Sequence, residues 1–238
     1  ASNLANRKAL DGHLLPGLDP LGVPRALKGT AFPFRYNDVA GFLKLIHEKR
    51  GKVGVIVLES IRNEEPDKEF LRTIREIASK YGIVLVLDEI TSGWRLNLGG
   101  AHLLFDLKPD IAVFGKAVGN GFPMAAILGT TSTMRLAQDS FISSTYWTDR
   151  IGPTAALATI KKMKEFDVPA HLVQTGRMIK EGWQSRAAQN NIDVEIGGID
   201  SLAHFAFKNK KSLVVKTLFT QLMLEKGFLA STAFYASY

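Results

Sequence analysis

The sequence predicts an α/β fold: a mostly parallel sheet with helices on both faces, followed by part of a smaller α/β domain. Three observations predict it. Apolar runs of strand length recur at residues 53–58, 83–87, 111–114 and 124–128. Stretches of helical periodicity separate strands, and the runs are apolar at consecutive positions, as strands covered on both sides are.

Each element follows from its residues. A Gly- and Pro-rich loop spans residues 12–33, after which residues 39–50 set Phe42, Leu43, Ile46 and His47 at helical spacing. Residues 53–58, Val-Gly-Val-Ile-Val-Leu, are too short and too β-branched for a helix and read as a buried parallel strand. Residues 68–80 put Phe70, Leu71, Ile74, Ile77 and Ala78 on one face, and Tyr81-Gly82 stops that helix. Strands follow at 83–87, at 111–114 behind Lys108-Pro109-Asp110, and at 124–128.

From Gly152 the character changes. Pro153 opens a helix over 154–166, Val168-Pro169 breaks it, and a long amphipathic helix covers 170–189. Strands around Gly197-Gly198 within 193–207, a helix over 213–226 and a final strand-like run at 233–238 complete the pattern. The expected division is a large domain over 1–165 and a smaller, incomplete one over 166–238. The chain starts at Ala1 rather than Met, and its last run looks interrupted, so it is expected to be the interior of a longer protein.

Composition bounds the function. With 238 residues, 46% of them hydrophobic, the chain is long enough for a sizeable core. Thirty basic against 23 acidic residues give a charge of +7, but Lys and Arg are scattered, so a solvated surface and small anionic ligands are expected rather than nucleic acid. Cysteine is absent, which removes disulfides, thiolate metal sites and a cysteine nucleophile. No apolar run approaches the roughly 20 residues that span a bilayer, and residues 1–13 lack a signal-peptide core, so a soluble, cytoplasmic protein without membrane contact is expected.

In parallel sheets ligands collect outside the carboxyl ends of the strands. By that rule Glu59, Asp88 and Lys116, each just after an apolar run, face one crevice. A lysine amine condenses with an aldehyde from its neutral form, which burial favours. A carboxylate such as Asp88 beside a pyridine nitrogen keeps that nitrogen protonated, so the ring withdraws electrons. Glycines 115, 119 and 121 let the backbone bend closely around the lysine. Taken singly, each residue has a plainer explanation. Asp88-Glu89 suits a helix N-cap through Thr91, Lys116 suits the surface, and Gly119-Asn120-Gly121 suits a turn.

The segment VLDEITSGWRLNLGGAHLLFDLKPDIAVFGKAVGNGFPMAAILG, residues 86–129, closely resembles the cofactor-binding stretch of class III aminotransferases, particularly the glutamate-1-semialdehyde aminomutase branch. Asp88-Glu89, Gly93, Arg95, Gly99-Gly100-Ala101, Pro109-Asp110, Gly115-Lys116 and Gly121-x-Pro123 fall in family order, with weaker similarity from about Leu15 to Ile160. The resemblance implies the type I pyridoxal-phosphate fold, with Lys116 as the Schiff-base lysine and Asp88 as the pyridine-nitrogen partner. It implies that Ile90 packs on one face of the ring, a role a core isoleucine would imitate. Glu59 matches a family glutamate usually followed by proline, where Ser60 stands here. Asn63 is set to reach the cofactor's phenolic oxygen, or else sits on a surface loop.

Within residues 143–148, Thr145 matches a threonine that binds the cofactor phosphate of the neighbouring subunit, which implies a homodimer with shared active sites; an ordinary polar loop is the alternative. The substrate implied is a small amino or keto compound. The segments that carry the family's own-subunit phosphate loop and stacking aromatic would precede Ala1. The implied activity is amino-group transfer or intramolecular amino shift. A transaminase acting on another carbonyl compound, such as a sugar, and a non-catalytic remnant of the fold are the alternatives. Thr91, Ser60 and the Tyr146-Trp147 pair depart from the aminomutase branch.

Overall fold

The computed structural model describes residues 22–238, so the expected loop at 12–33 and the similarity expected from Leu15 lie partly outside the described residues. The described chain forms two compact units, one of residues 22–55 and 66–83, the other of residues 56–65 and 84–238.

The first unit is built on two helices. Helix α1 (Val39–Glu48) starts where Asp38 accepts a hydrogen bond from the Gly41 amide at 2.8 Å. Helix α2 (Lys68–Tyr81) starts where Asp67 accepts from the Glu69 amide at 2.7 Å, and it ends at Gly82 in the left-handed conformation, φ 63°. The apolar faces carry Phe42 and Ile46 on α1 and Phe70, Leu71, Ile74 and Ala78 on α2. Phe34 lies 5.2 Å from Phe42, and Tyr36 stands edge-on to Phe70 at 5.2 Å, ring centre to ring centre. The fully buried rings, Phe42 and Phe70, contribute about 1.5–3 kcal/mol each by burial.

The second unit carries a four-stranded sheet in the order β1 (Val55–Glu59), β2 (Val84–Asp88), β3 (Ile111–Phe114), β4 (Ala126–Gly129). Strands β2 and β3 are parallel, with Val86 opposite Ile111 and Asp88 opposite Val113. Strand β4 runs antiparallel to β3, with Phe114 opposite Ala126, so the sheet is mixed. The physical reason is length: residues 115–125 are too few for a crossover, which takes a dozen residues or more.

The expectation that β1 is covered on both faces is also corrected. Ile56 and Leu58 are buried, but Val55 and Val57 are exposed, so its uniform apolarity hides an alternating pattern.

Helix α3 (Thr131–Met134) is a single turn after β4. Helix α4 (Ile151–Phe166) sets Ala156 against Ala112, Phe114 and Val118, covering β3. The break before α5 (Val168–Gln189) falls at Asp167, whose φ is 48°, not at Val168-Pro169. Pro169 instead sits in the first turn of α5, where its missing N–H costs no helical bond.

Strands β5 (Val194–Gly197) and β6 (His204–Phe207) form an antiparallel pair, and α6 (Ser212–Glu225) follows. Phe205 stands edge-on to Trp183, Phe207 and Phe219 with ring centres 4.9–5.5 Å away, tying α5, β6 and α6 together. Residues 233–238 do not form the strand expected of them. The bridge between Ala233 and His204 is isolated, although the Phe234 and Ala236 amides donate to the Ala203 and Ser201 carbonyls at 2.8 and 3.1 Å. Among the described residues, no helix is long and apolar enough to cross a membrane.

Candidate functional site

The carboxyl ends of β2 and β3 bring the expected residues together. Asp88 is the last residue of β2, and its Oδ1 accepts from the Ile90 amide at 3.0 Å; it caps a turn, not a helix. Three residues beyond Val113, the partner of Asp88 in the ladder, stands Lys116. Its Nζ donates to Thr91 Oγ1 at 2.8 Å. Lys116 is exposed overall, contrary to the burial expected of it, because it sits just past the strand at the edge of a cavity of about 540 Å³.

The backbone at Lys116 is in the left-handed region, φ 46°. For a side chain with a Cβ this costs of order 1–3 kcal/mol. The turn that follows fixes it: the Val118 and Gly119 amides donate to Gly115 and Lys116 carbonyls at 3.2 and 3.1 Å. Gly119 admits no side chain, since a Cβ there would overlap the Phe122 carbonyl oxygen. Ile90 packs beside Gly115, whose added Cβ would lie 3.5 Å from Ile90 Cγ2. An amine, a carboxylate with one oxygen committed to the turn, and a branched apolar side chain thus surround the ends of two adjacent parallel strands.

Behind them lies Glu89, to which the sequence assigns no role beyond a helix cap and a place in the family motif. Glu89 is 0% exposed and accepts five hydrogen bonds: from Ser60 at 2.6 Å, Ser92 at 2.8 Å, the Ala101 amide at 2.9 Å, and the amide and Nδ1 of His102 at 2.8 Å each. Burial raises its pKa, but the bonds from His102, Ser60 and Ala101 outweigh burial and hold it below the ordinary glutamate range. The signal was available. Consecutive strand residues point to opposite faces, so Asp88 and Glu89 cannot share the crevice, and a carboxylate on the inner face needs donors. Ser60, standing where the family has proline, is one of them.

Glu59 ends β1 and is paired with Arg62 at 3.2 Å. Asn63 is exposed and gives its backbone carbonyl to the Gly198 amide at 3.3 Å. Thr145 lies in an exposed turn within residues 141–148. Among the described residues, no group of three or more His, Asp or Glu is placed to hold a metal ion.

Thr91 joins the site to a further cation. While its hydroxyl accepts from Lys116, its carbonyl accepts from Arg95 Nε at 3.0 Å. The Arg95 guanidinium lies 5.9 Å from the Tyr235 ring centre. Burial lowers the Arg95 pKa, against an opposing pull from Tyr235.

Comparison with known proteins places this arrangement. The chain is 28% identical over 219 residues to a 3-aminobutyryl-CoA aminotransferase of Cloacimonas acidaminovorans, covering 87% of this chain and 53% of that protein. It is 31% identical over 194 residues to a glutamate-1-semialdehyde 2,1-aminomutase of Pyrobaculum arsenaticum, covering 79% and 46%. The chain therefore spans about half the length of the curated relatives it matches. In fold it resembles a β-phenylalanine aminotransferase of Variovorax paradoxus, with a TM-score of 0.74 at 20% identity over 86% of this chain and 52% of that one. Residues 36–234 match the family described as Aminotransferase class-III, and the chain belongs to that family.

Proposed function

We propose that the protein is a pyridoxal-phosphate-dependent aminotransferase or aminomutase, with Lys116 as its reacting amine. The carrying observation is that the carboxyl ends of two paired parallel strands set Asp88 and Ile90 beside the Gly115-Lys116 turn. The residues fit the group: Asp88 has an oxygen left over for a protonated ring nitrogen, Ile90 offers an apolar face beside Gly115, and Lys116 opens onto a cavity. When bound, pyridoxal phosphate supplies an electron sink for the carbon that loses its proton.

The chain's own part is acid–base chemistry and positioning. Lys116 Nζ would give up a proton to become nucleophilic, and as base and then acid it would carry a proton between the two carbons flanking the transferred nitrogen. Thr91 Oγ1, which accepts from Nζ, fixes the direction of approach. Asp88 would hold the ring nitrogen's proton, and the bond from the Ile90 amide keeps its carboxylate oriented.

Glu59, Asn63 and Thr145 belong to the same reading through family resemblance. Thr145 serves a second copy of the chain, so the proposed state is a homodimer. The exposed apolar side chains Phe141 and Trp147, close to it along the chain, support that.

Borohydride treatment of full-length protein loaded with the cofactor should fix it to the peptide carrying Lys116. Retention of the label by Lys116→Ala would end the proposal. Relatives named for both activities support two outcomes, and one measurement decides between them. An aminomutase forms product from a single substrate, whereas a transaminase turns over only with a separate amino donor.

A further inference from the structure

Glu89 is ionisable and fully buried, yet the chemistry proposed for Lys116 leaves it unused. Its main chain ties the end of β2 in place: the amide donates to the Val113 carbonyl on β3 at 2.9 Å, and the carbonyl accepts from the Gly93 amide at 2.9 Å. The second bond closes the turn of residues 89–93. That turn carries Ile90, which lies beside Gly115, and Thr91, whose hydroxyl accepts from Lys116 Nζ. Asp88, directly before it, is oriented by the Ile90 amide.

The Glu89 side chain fastens the same turn to its flanks. Ser60, just past β1, and Ala101 and His102, which open a short 3-10 helix at residues 101–105, supply four of its five bonds, and Ser92 inside the turn supplies the fifth. The packing leaves little slack: a Cβ at Gly93 would overlap the Glu89 carbonyl oxygen, and one at Gly100 would overlap the His102 ring. A carboxylate so bonded is an acceptor at both oxygens. Glutamine keeps one acceptor oxygen and turns an NH2 group onto an amide that also donates, that of Ala101 or of His102.

The consequence reaches the reaction through geometry. Thr91 and Lys116 are joined by one hydrogen bond, so a shift of the turn changes the direction from which the amine approaches. A displacement of about 1 Å at a reacting group costs about a hundredfold in rate, and rigid supporting contacts prevent it. We infer that Glu89 is a positioning residue: its carboxylate, clasped by Ser60, Ala101 and His102, fixes the turn and through it the aim of the Lys116 amine and the Asp88 carboxylate. This rests on the reading of Lys116 as the reacting amine.

The test compares variants of full-length, cofactor-loaded protein by turnover per mole of bound cofactor, by melting, and by the absorption of the bound cofactor against pH. Glu89→Gln is expected to lower kcat by about ten- to a hundredfold with KM within about twofold, and to move the midpoint of the absorption titration. His102→Ala removes one side-chain donor and should lower kcat by about three- to tenfold, the worth of one hydrogen bond. His102→Asn, whose side-chain N–H can take the place of Nδ1, should recover most of that loss. Gly176→Ala, destabilised through its contact with Asp200, should keep the wild-type kcat and titration.

A Glu89→Gln protein that melts lower than wild type but keeps its kcat and its absorption titration overturns the inference, because the carboxylate then serves stability alone. Equal turnover in His102→Ala and His102→Asn overturns it too, and this pair carries the test where Glu89→Gln does not fold. The borohydride label separates the two readings. A label absent from Lys116 in wild type sinks the reacting amine, whereas a label kept on Lys116 with turnover unchanged in the variants sinks the role of Glu89.

Discussion

At Lys116 the backbone is strained where the chemistry needs an amine at a fixed place. Lys116→Ala should abolish the borohydride label and lower turnover by about 100- to 10,000-fold, the share expected of a positioned acid–base group. Because φ at this residue is 46°, Lys116→Gly should lose activity equally while relieving the strain, and its melting temperature should rise relative to Lys116→Ala. A melting scan of the two variants checks this.

Glu89 makes the complementary prediction. Its folded pKa lies below its unfolded one, so near the ordinary glutamate value the unfolded chain binds more protons and stability rises with pH. The contribution is complete above the unfolded pKa and is lost as pH falls through the folded one. Glu89→Gln should therefore flatten the acid side of the stability curve measured by urea unfolding, and Glu89→Ala should cost about 3–5 kcal/mol at neutral pH by leaving its donors unanswered. An unchanged acid slope in Glu89→Gln would place the titration on another group.

Among the elements, those with one strong local cause were legible and those decided by neighbours were not. Helices α1 and α2 followed from periodicity, with Asp38 and Asp67 at their starts and Gly82 past the end of α2, and β3 was found to the residue. Strand direction is a matter of connection length, so the antiparallel β4 was hidden behind an apolar run indistinguishable from the others. The same limit divided the site. Lys116 and Asp88 were readable because position after a strand dictates their placement, while the Glu89 donors come from residues 3 to 29 positions away along the chain. Thr91 and Arg95 act through a turn that no period marks.

Close packing between elements gives a further test at Gly176 on α5. A Cβ there would run into the Asp200 carbonyl oxygen, in the turn that Lys180 holds at 3.0 Å through Asp200 Oδ1. Gly176→Ala should destabilise by about 1–3 kcal/mol even though alanine is the better helix former. Gly182 on the same helix has open space, so Gly182→Ala should stabilise by about 0.5–1 kcal/mol. Equal effects at the two positions in chemical denaturation would refute the close approach.

For the molecule as a whole, the telling feature is apolar surface left in water along residues 127–151. Phe141 is 98% exposed and Trp147 67%, with Ile127, Leu128 and Leu136 exposed in the same stretch of chain, and Thr145 lies inside it. Side chains of this size exposed together mark a surface that another protein covers. A second copy of the chain is the occupant proposed, because a two-fold contact uses each apolar residue twice and would bring Thr145 of each chain to its partner. Replacing Phe141 and Trp147 by serine should then raise the dimer dissociation constant by about a hundredfold or more, since large aromatics at interface centres contribute about 2 kcal/mol or more each. Sedimentation velocity over a dilution series measures it. The same variant should also lose cofactor affinity at dilutions where wild type stays dimeric and recover it as concentration rises. Wild-type protein that sediments as a monomer with full cofactor affinity would remove both the dimer and the role given to Thr145.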